Sequence, residues 1–590
     1  MNTSNHLIRF SLIIISFFVL NHVNAQQQEM YTFCTGSSYA YLIDTAATTS
    51  SGYFQRFNIG STTYSAHFYH DTIYQTYGNG GTAGGYGSVR KWAWTGNNTV
   101  NNVWTYTLSG AHHDICPMPN GNVLVIVDES KVPSSVGGTS SSTVKSPVIR
   151  EIKPTGSTTG TVVWEWHLWD HLCQSTNSAY PATYVTNIAQ HPERFNVNCT
   201  TNGGITSDWF HMNGIDYNPT LDQIAICSHV KEEIYVIDHS TTTAEAATHA
   251  GGKSGKGGDF LYRWGSPENY GCTTDGNGIS LNTIHDCRWV PATNLVWPNY
   301  LSVLHNNSGG NAQAVLHLPP YSTSNPYNYT YAPGSVVGPS TCVKPTIPNL
   351  SIQGQGGCQA LDNGNILMTV PNSKFVESRN STTALQSITV STTQSDRLKK
   401  TDVFGPWITA TATSDTLCAG SMITLNCNIK SAPVISNPVY TYSWVSVPAT
   451  SSFSSASDQN PTAVPSVAGT YTYLVTVSMS GTFNSNTITT TTTAFATVVV
   501  EACTGMNENS TEKASLTIYP NPTSGIININ EEFALNNDYE VKICSSFGDV
   551  VFCGKNSKMI NLSDFANGIY YLSVKTSDNN LINKKIILIK

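Results

Sequence analysis

Residues 118–127 read Met-Pro-Asn-Gly-Asn-Val-Leu-Val-Ile-Val, and residues 361–370 read Leu-Asp-Asn-Gly-Asn-Ile-Leu-Met-Thr-Val. In both stretches an Asn-Gly turn leads directly into a short apolar run, which is the pattern of a tight turn that feeds a buried strand. Residues 217–227, Tyr-Asn-Pro-Thr-Leu-Asp-Gln-Ile-Ala-Ile-Cys, form a degenerate third copy. A repeated turn-and-strand unit is typical of a β-propeller, so these stretches predict that fold.

The surrounding sequence predicts an all-β chain of several domains. Short alternating runs of Val, Ile, Tyr, Trp and Thr fill the region up to residue 403, and helical periodicity is nearly absent. We therefore assign residues 26–405 to the propeller. Residues 406–503 are rich in Ser, Thr, Val and Ala and predict an Ig-like β-sandwich, and the polar residues 504–514 predict a linker.

The N-terminus and the composition indicate an exported protein. An n-region with Arg9, an apolar stretch from Phe10 to Leu20 and the small-residue pattern ending at Ala25 predict a signal peptide at residues 1–25. After the predicted signal peptide, the sequence contains no apolar run of about 18 residues, the length that would predict a membrane span. The formal net charge of −8 disfavours a nucleic-acid partner.

Fourteen cysteines in an exported chain allow disulfides, but their spacing is neither that of a small disulfide scaffold nor that of a paired zinc motif. Cys272 and Cys287 are one candidate pair, and Cys418 with Cys427 would close a short loop.

Three ordered motifs end the chain: residues 518–525 read Ile-Tyr-Pro-Asn-Pro-Thr-Ser-Gly, residues 567–572 read Asn-Gly-Ile-Tyr-Tyr-Leu, and residues 584–590 read Lys-Lys-Ile-Ile-Leu-Ile-Lys. This final unit, at 515–590, resembles the C-terminal sorting domain of the type IX secretion system. The resemblance implies a small β-sandwich that engages the secretion machinery, and a protein that is secreted or held at the cell surface.

Several of the sixteen histidines lie beside turns in the first domain. The contexts are Ala-His-His-Asp at residues 111–114, Asp-Trp-Phe-His-Met-Asn at 208–213 and Thr-Ile-His-Asp at 283–286. In a propeller such positions converge on the central channel, where imidazoles can bind a metal or perform nucleophilic and acid-base catalysis. Because the chain has no H-E-x-x-H pair and no dense carboxylate loop, we rank metal binding second.

A further set of motifs carries a family resemblance. It comprises Trp-Glu-Trp-His-Leu-Trp-Asp-His-Leu at 164–172, His-Pro-Glu at 191–193, residues 234–246, the glycine-rich residues 251–259 and Tyr-Arg-Trp-Gly at 262–265. With these motifs the first domain resembles bacterial arylsulfotransferases. The resemblance implies a six-bladed propeller that moves sulfate from a phenolic sulfate ester to a phenol through a sulfated histidine. It implies no cofactor, no metal and no nucleotide sulfate donor.

The resemblance also implies roles for individual residues. His285 corresponds to the nucleophile, His113 to the acid-base group, and His211 and Asn213 to groups that hold the sulfate oxygens. His229 stands where the family has a sulfate-binding Arg, and it lacks the permanent charge and the bidentate geometry of Arg. Arg263, Lys231 or Arg288 could then supply a cation from elsewhere in the fold.

Two other functions fit the same residues. A noncatalytic surface propeller could bind a glycan, peptide or matrix ligand, with the Ig-like module as a spacer or second adhesin. A metal bound by the histidines would make the domain a hydrolase or a metal-dependent binder. The glycine-rich residues 251–259 do not satisfy the phosphate-binding G-x-x-x-x-G-K-[ST] motif, so we interpret them as a solvated family loop. We expect Trp164, Trp166, Trp169 and Trp209 to fill the core.

Overall fold

The structure is a computed structural model. It describes residues 31–36, 38–43, 53–78, 85–96, 98–200, 205–273, 281–292, 294–307, 310–322, 325, 327–371, 373–389, 399–401, 406–430, 435–483, 486–502, 516–530, 538–545, 550–576 and 581–590. The predicted signal peptide at 1–25 and the predicted linker at 504–514 lie outside these residues.

The described part of the N-terminal region consists of six antiparallel sheets, which we number in chain order. The strands of sheets 1 to 3 are β1 (Tyr31–Gly36), β2 (Tyr39–Ile43), β3 (Tyr53–Asn58), β4 (Ala66–Tyr69), β5 (Thr72–Tyr77), β6 (Ser88–Gly96), β7 (Thr99–Thr107), β8 (Ala111–Pro117), β9 (Val123–Lys131), β10 (Val144–Pro154) and β11 (Gly160–His167). A parallel pair, β12 (Leu172–Cys173) and β13 (Phe195–Asn196), follows sheet 3.

Sheets 4 to 6 continue the same order. Their strands are β14 (Met212–Asn218), β15 (Gln223–Ser228), β16 (Glu233–Asp238), β17 (Tyr262–Trp264), β18 (Ile284–Trp289), β19 (Leu301–His305), β20 (Gln313–His317), β21 (Gly357–Ala360), β22 (Ile366–Val370), β23 (Lys374–Ser378) and β24 (Ala384–Thr389). The late strand β25 (Lys399–Thr401) pairs antiparallel with β1, so sheet 1 combines both ends of the region in the order β25-β1-β2-β3.

The Asn-Gly turns stand where the sequence predicts them. Gly121 and Gly364 both adopt φ of 84°, a left-handed conformation that glycine takes without a Cβ penalty. The apolar residues that follow form β9 and β22, which are buried over most of their length. The third copy forms β15, which is buried throughout. These three predictions are confirmed.

Apolar clusters join the sheets one to the next. Ile126 of sheet 3 packs in one cluster with Ile226 of sheet 4, and Val236 of sheet 4 packs with Val303 of sheet 5. A further cluster joins sheet 6 to sheet 1 through Phe375 and other residues. Because these clusters hold Val, Ile, Leu and aromatic side chains removed from water, they supply the main stabilisation of the region.

Helical structure is short and lies in connections. The segments are α1 (Thr243–Ala246) and four single 3-10 turns, Pro133–Val136, Leu168–His171, Ile188–Gln190 and Pro267–Tyr270. Thr242 caps α1 and forms a capping box with Glu245. Within the described residues, no helix is long and apolar enough to cross a membrane.

Two four-stranded sheets follow, in the orders β26-β28-β31-β30 and β27-β33-β32-β29. Their strands are β26 (Trp407–Ala412), β27 (Thr416–Cys418), β28 (Ile423–Lys430), β29 (Ser436–Val447), β30 (Ser451–Phe453), β31 (Thr462–Pro465), β32 (Gly469–Phe483) and β33 (Asn486–Glu501). Val475 and Val477 of β32 are fully buried while their neighbours are partly exposed, as the alternating sequence predicts.

The C-terminal residues form two sheets of their own, in the orders β34-β35-β38 and β37-β36-β39-β40. The strands are β34 (Ile518–Tyr519), β35 (Ile526–Ile529), β36 (Tyr539–Ser545), β37 (Val550–Lys555), β38 (Met559–Asn561), β39 (Gly568–Thr576) and β40 (Leu581–Leu588). One cluster that includes Ile527, Val541, Leu572 and Ile586 is their core.

Two compact units divide the described residues. The first comprises those within Met1–Asp415, Met422–Val464 and Thr470–Val498, and the second those within Thr416–Ser421, Pro465–Gly469 and Val499–Lys590. The overall composition is all-β, which confirms the predicted fold class at that level.

Both proposed cysteine pairs are wrong. Cys272 and Cys287 are free thiols, and so is Cys427. Cys418 is disulfide-bonded, and because Cys427 is a free thiol, Cys427 is not its partner. Sequence proximity misled the prediction, since a disulfide requires Cβ atoms about 4 Å apart and facing one another.

Candidate functional site

Five histidines from three neighbouring sheets form one group, which we call the histidine cluster: His112, His113, His211, His229 and His285. His112 and His113 lie on β8, His211 directly precedes β14, His229 directly follows β15, and His285 lies on β18. The first strands of sheets 3, 4 and 5 contact one another in that order. The topology therefore brings together residues up to 173 positions apart in the sequence.

The rings follow one another at contact distance. Ring centroids are 4.8 Å apart between His113 and His211, 5.1 Å between His211 and His229, and 4.9 Å between His229 and His285. The His112 centroid lies 4.4 Å from that of His113. The predicted convergence of these imidazoles is therefore present.

The backbone at the cluster is strained. His113, His211 and Asp286 have positive φ angles of 47°, 51° and 58°, which are uncommon for residues other than glycine. In each of the three sheets the pairing register of the first strand shifts at this place. Such outliers are retained at functional sites when the surrounding structure fixes them, and here they turn the histidines out of the regular alternation.

A short chain of hydrogen bonds runs through His211. Its Nδ1 lies 2.8 Å from Asp208 Oδ2, and its Nε2 lies 2.8 Å from His113 Nε2. Because Asp208 accepts a hydrogen bond from Nδ1 of His211, the Nε2 atoms of His113 and His211 must share one proton. Burial raises the pKa of Asp208, but the hydrogen bond from His211 outweighs it and holds this pKa below its usual value. The arrangement can store and move a proton.

His285 is held by different partners. Its Nδ1 lies 2.6 Å from Asn306 Oδ1, and the amide nitrogen of Asn306 donates to the carbonyls of Ile352 and Gln355. Asn306 Oδ1 is therefore the acceptor, and the proton of a neutral His285 sits on Nδ1. The lone pair of Nε2 accepts one long hydrogen bond, 3.2 Å, from the backbone N–H of Gln355.

His112 and His229 are neutral members of the cluster. Burial, reinforced by the charge of His211, lowers the pKa of each to about 4. His112 Nε2 and His229 Nδ1 are buried and have no hydrogen-bond partner among the described residues. Buried polar atoms without partners are uncommon in native structures and mark a place where a polar ligand can bind.

Asn213 lies beside the cluster but its amide is engaged. Its Nδ2 donates to the carbonyl of Ile284 at 2.8 Å, and its Oδ1 accepts from Cys227 Sγ at 3.1 Å. The first bond joins β14 to β18 and the second joins β14 to β15, so Asn213 holds the strand that carries His285.

Arg263 does not lie in this group. It lies on β17, the fourth strand of sheet 4, whereas His211 directly precedes β14, the first strand of that sheet. At the usual strand spacing, β17 and β14 are about 14 Å apart. Its buried guanidinium forms a bidentate pair with Glu233, 3.0 Å from Oε1 and 2.5 Å from Oε2. Arg263 is a structural residue, because removing a paired charge from the core is costly.

The other two candidate cations are also engaged. Lys231 is fully buried and its Nζ lies 3.4 Å from the carbonyl of Cys199. Arg288 pairs with Asp286 at 2.9 Å. With Asp114 and Asp286, Arg288 lines a separate cavity of about 350 Å³, whose lining does not include the histidines of the cluster.

Several site residues escaped the sequence reasoning. Asn306 and Gln355, the partners of His285, carry no motif and come from later strands and loops. Lys145 is close enough to affect the pKa of His112 and of Asp208, so it is a cation near the cluster. Of these residues, only Asp208 could be suspected from the sequence, because it stands three positions before His211.

Trp164, Trp166 and Trp209 are buried, as expected for core residues, and Trp169 is partly buried. Among the described residues, two sets of side chains have a geometry that could hold a metal ion: His112 with His113 and His211, and, elsewhere, His171 with His249 and Asp259.

Comparison with known families decides the identity of the region that carries the cluster. Residues 25–330, just over half of the chain, match the arylsulfotransferase (ASST) family. The chain belongs to the arylsulfotransferase family. The match includes every histidine of the cluster, and it confirms the resemblance recognised in the sequence.

Residues 517–590 match the secretion system C-terminal sorting domain. This match confirms the second resemblance, and it supports export of this arylsulfotransferase to the cell surface or the medium. No curated protein matches the chain at a significant level.

Solved structures with similar folds have very low sequence identity to this chain. A proposed 6-phosphogluconolactonase from Bacteroides fragilis is 11% identical, with 64% of this chain and 100% of that chain covered and a TM-score of 0.32. The periplasmic gluconolactonase PpgL of Pseudomonas aeruginosa is 10% identical, with 62% and 99% covered and a TM-score of 0.34. Apo AztD from Citrobacter koseri is 10% identical, with 68% and 91% covered and a TM-score of 0.27.

Proposed function

We propose that this arylsulfotransferase moves sulfate from a phenolic sulfate ester to a phenol through a sulfohistidine at His285, without a nucleotide sulfate donor. The observation that carries the proposal is the environment of His285. Asn306 accepts from Nδ1 at 2.6 Å, which leaves the lone pair of Nε2 directed away from Asn306. A neutral imidazole fixed in this tautomer is a competent nucleophile.

In the first half-reaction, Nε2 of His285 forms a bond to sulfur as the bond between sulfur and the aryl oxygen breaks. The phenolate leaves with the electron pair, and the proton held between His113 and His211 passes to it. The sulfate displaces the long hydrogen bond that Gln355 makes to Nε2. In the second half-reaction the acceptor phenol returns a proton to His113, and its oxygen attacks sulfur as the N–S bond breaks.

The sulfate oxygens need donors or cations in place of the Arg that the family has at the position of His229. The ring of His211, held by Asp208 at 2.8 Å, lies beside His229 and can donate from Nε2 to a sulfate oxygen. Lys145 supplies a positive charge that offsets the negative charge on the oxygens. His229 supplies a ring nitrogen, and Asn213 would reach a sulfate oxygen only by exchanging its bond to the carbonyl of Ile284. Tyr64, 5.1 Å from the His113 ring, can contact the aryl group.

We further infer that the six sheets of the N-terminal region form a six-bladed β-propeller spanning residues 26–405. The pairing of β25 with β1 and the cluster that joins sheet 6 to sheet 1 support this architecture. Residues 406–503, whose described strands form two four-stranded sheets, are interpreted as an Ig-like β-sandwich. Residues 515–590 engage the type IX secretion machinery.

The test is transfer of sulfate from p-nitrophenyl sulfate to phenol by the purified secreted chain. We expect release of p-nitrophenol that depends on the acceptor and is lost in His285→Ala. His191→Ala, which removes an imidazole outside the cluster, is the control and should retain activity. If the folded wild-type chain transfers no sulfate between several donors and acceptors, the enzyme is ruled out in favour of a binding protein.

A further inference from the structure

We propose that His171, His249 and Asp259 form a structural metal site that binds one divalent transition-metal ion, zinc by preference. We call these residues the loop cluster. It lies outside the histidine cluster, and the proposed sulfate transfer does not use it. One ring nitrogen of each imidazole and one carboxylate oxygen lie within 4.8 Å of one another.

The first argument is the tautomer of His171. Its Nε2 lies 2.8 Å from the carbonyl of Ala246, an acceptor that requires a proton on Nε2. A neutral His171 then presents the bare lone pair of Nδ1, yet Nδ1 lies 2.8 Å from Asp259 Oδ1. Two acceptors at this distance repel each other unless a proton or a metal ion lies between them.

Both imidazoles converge on the same oxygen of Asp259. His249 Nδ1 lies 2.7 Å from Asp259 Oδ1, so two imidazoles address one carboxylate oxygen. Tetrahedral zinc with bonds of 2.0–2.1 Å separates its ligands by about 3.3 Å. Small outward shifts of these three atoms therefore make room for the ion. Imidazole nitrogen and carboxylate oxygen are the donor set that zinc accepts.

The ring of His171 is held in place as a metal-ligating histidine would be. In metal sites a ligating histidine usually donates its other ring N–H to a carbonyl or carboxylate, as His171 does to Ala246. The ring is fully buried and stacks on Trp166 at 5.5 Å between centroids. A Cβ on Gly258 would lie 2.6 Å from His171 Nε2, so only glycine fits here. Trp166 donates from Nε1 to the carbonyl of Gly258 at 2.7 Å, and this bond holds the glycine-rich loop at residues 251–259 in place.

The charges and exposure of the site also suit an ion. His171 and Asp259 are buried, whereas the side chain of His249 is 39% exposed and opens the site to solvent. Water can therefore complete the coordination. Lys256 is the neighbouring cation, and its Nζ lies 3.4 Å from the hydroxyl of Tyr331. The metal would anchor the glycine-rich loop at residues 251–259 to sheet 3.

The experiment measures metal binding and thermal unfolding of the full secreted chain, so it does not depend on sulfate transfer. Chelator-treated protein is titrated with Zn²⁺, and metal content is measured after dialysis. We expect one ion per chain and a higher melting temperature on reloading. In His249→Gln the affinity should fall by more than about 10-fold. His167→Gln, in which Glu129 and Glu165 lose an imidazole partner, is the matched control and should bind normally.

Two results would overturn the proposal. Absence of bound metal, with a melting temperature insensitive to chelator and Zn²⁺, would show that a proton holds the loop cluster. Loss of the ion in His211→Gln but not in His249→Gln would place the metal in the histidine cluster. A measurement that needs no variant is diethyl pyrocarbonate labelling. Zn²⁺ should protect His249, and protection of His211 instead would contradict the site.

Discussion

Individual side chains in the histidine cluster are fixed by different partners, and this difference separates their roles. Asn306 orients His285 through Nδ1, whereas Asp208 orients His211 through Nδ1 and leaves its Nε2 facing His113. In the first arrangement Nε2 of His285 accepts a long hydrogen bond from Gln355, and in the second His113 and His211 share a proton. The proposed nucleophile and the proposed proton carrier therefore lie in one row of rings.

Asp208→Asn tests the proton carrier. The carboxylate that accepts the hydrogen bond from Nδ1 of His211 is replaced by a neutral amide of the same shape, so we expect kcat/KM to fall by about 10²-fold or more. Asp208 is partly exposed, and the melting temperature should stay close to that of the wild type. Asp170→Asn, at an exposed carboxylate away from the cluster, is the control. Unchanged transfer rates in Asp208→Asn across the neutral pH range would remove the carboxylate from the mechanism.

The residues of the cluster that carry a motif could be predicted, and the residues that orient them could not. His113, His211 and His285 each lie in a short recognisable context. Asn306 lies in a loop after β19 and reaches His285 only because two strands pair. Arg263 lies in a motif but points to Glu233, since a motif shared by a family also contains residues that hold the fold.

The turn-and-strand units share more than their sequence pattern. Asn122 at the first turn donates to Glu151, and Asn365 at the second turn donates to Glu377 at 2.6 Å. In each case the asparagine ties the turn to a neighbouring strand of the same sheet. The repeated sequence predicted the turn and the buried strand, but it could not predict this bond, because the partner carboxylate lies on another strand.

Asn365→Ala tests the contribution of the second turn. The change removes a donor to a fully buried carboxylate, so we expect the free energy of unfolding to fall by about 1–3 kcal/mol. The measurement is the apparent melting temperature, which should be lower by a few degrees. Asn101→Ala, at an exposed position of β7, should leave it unchanged. Equal melting temperatures for the two variants would mean that the bond adds nothing to stability.

Ionic contacts as well as apolar clusters join neighbouring sheets, and one of these contacts is made by His239. His239 Nδ1 lies 2.7 Å from Asp222 Oδ1, and its Nε2 lies 3.0 Å from Glu151 Oε2 on β10. Burial lowers the pKa of His239, but these two hydrogen bonds outweigh it and raise the pKa to about 9. At neutral pH the bridge is therefore charged and links sheet 3 to the turn that precedes β15.

The raised pKa of His239 predicts how stability depends on pH. A pKa higher in the folded chain than in the unfolded chain stabilises fully below about pH 6.5, and this stabilisation is lost as pH rises through about 9. Comparison of wild type with His239→Gln should therefore show a large difference in melting temperature near neutral pH. The difference should shrink above about pH 9. A difference that is constant or grows with pH would show that His239 is neutral in the folded chain.

Two regions of the chain could be recognised from the sequence because each carries specific motifs. The all-β class, the arylsulfotransferase region and the sorting domain followed from repeats and motifs. The cysteine pairs did not, because pairing depends on distances that the sequence does not contain.

The most direct test of the central claim is detection of sulfate on His285. The protein is mixed with p-nitrophenyl sulfate in the absence of an acceptor, quenched under mildly basic conditions and digested for peptide mass spectrometry. We expect a sulfate adduct on the peptide that carries His285, its disappearance when phenol is added, and its absence in His285→Ala. An enzyme that transfers sulfate while no adduct forms, or with the adduct on another residue, would contradict it.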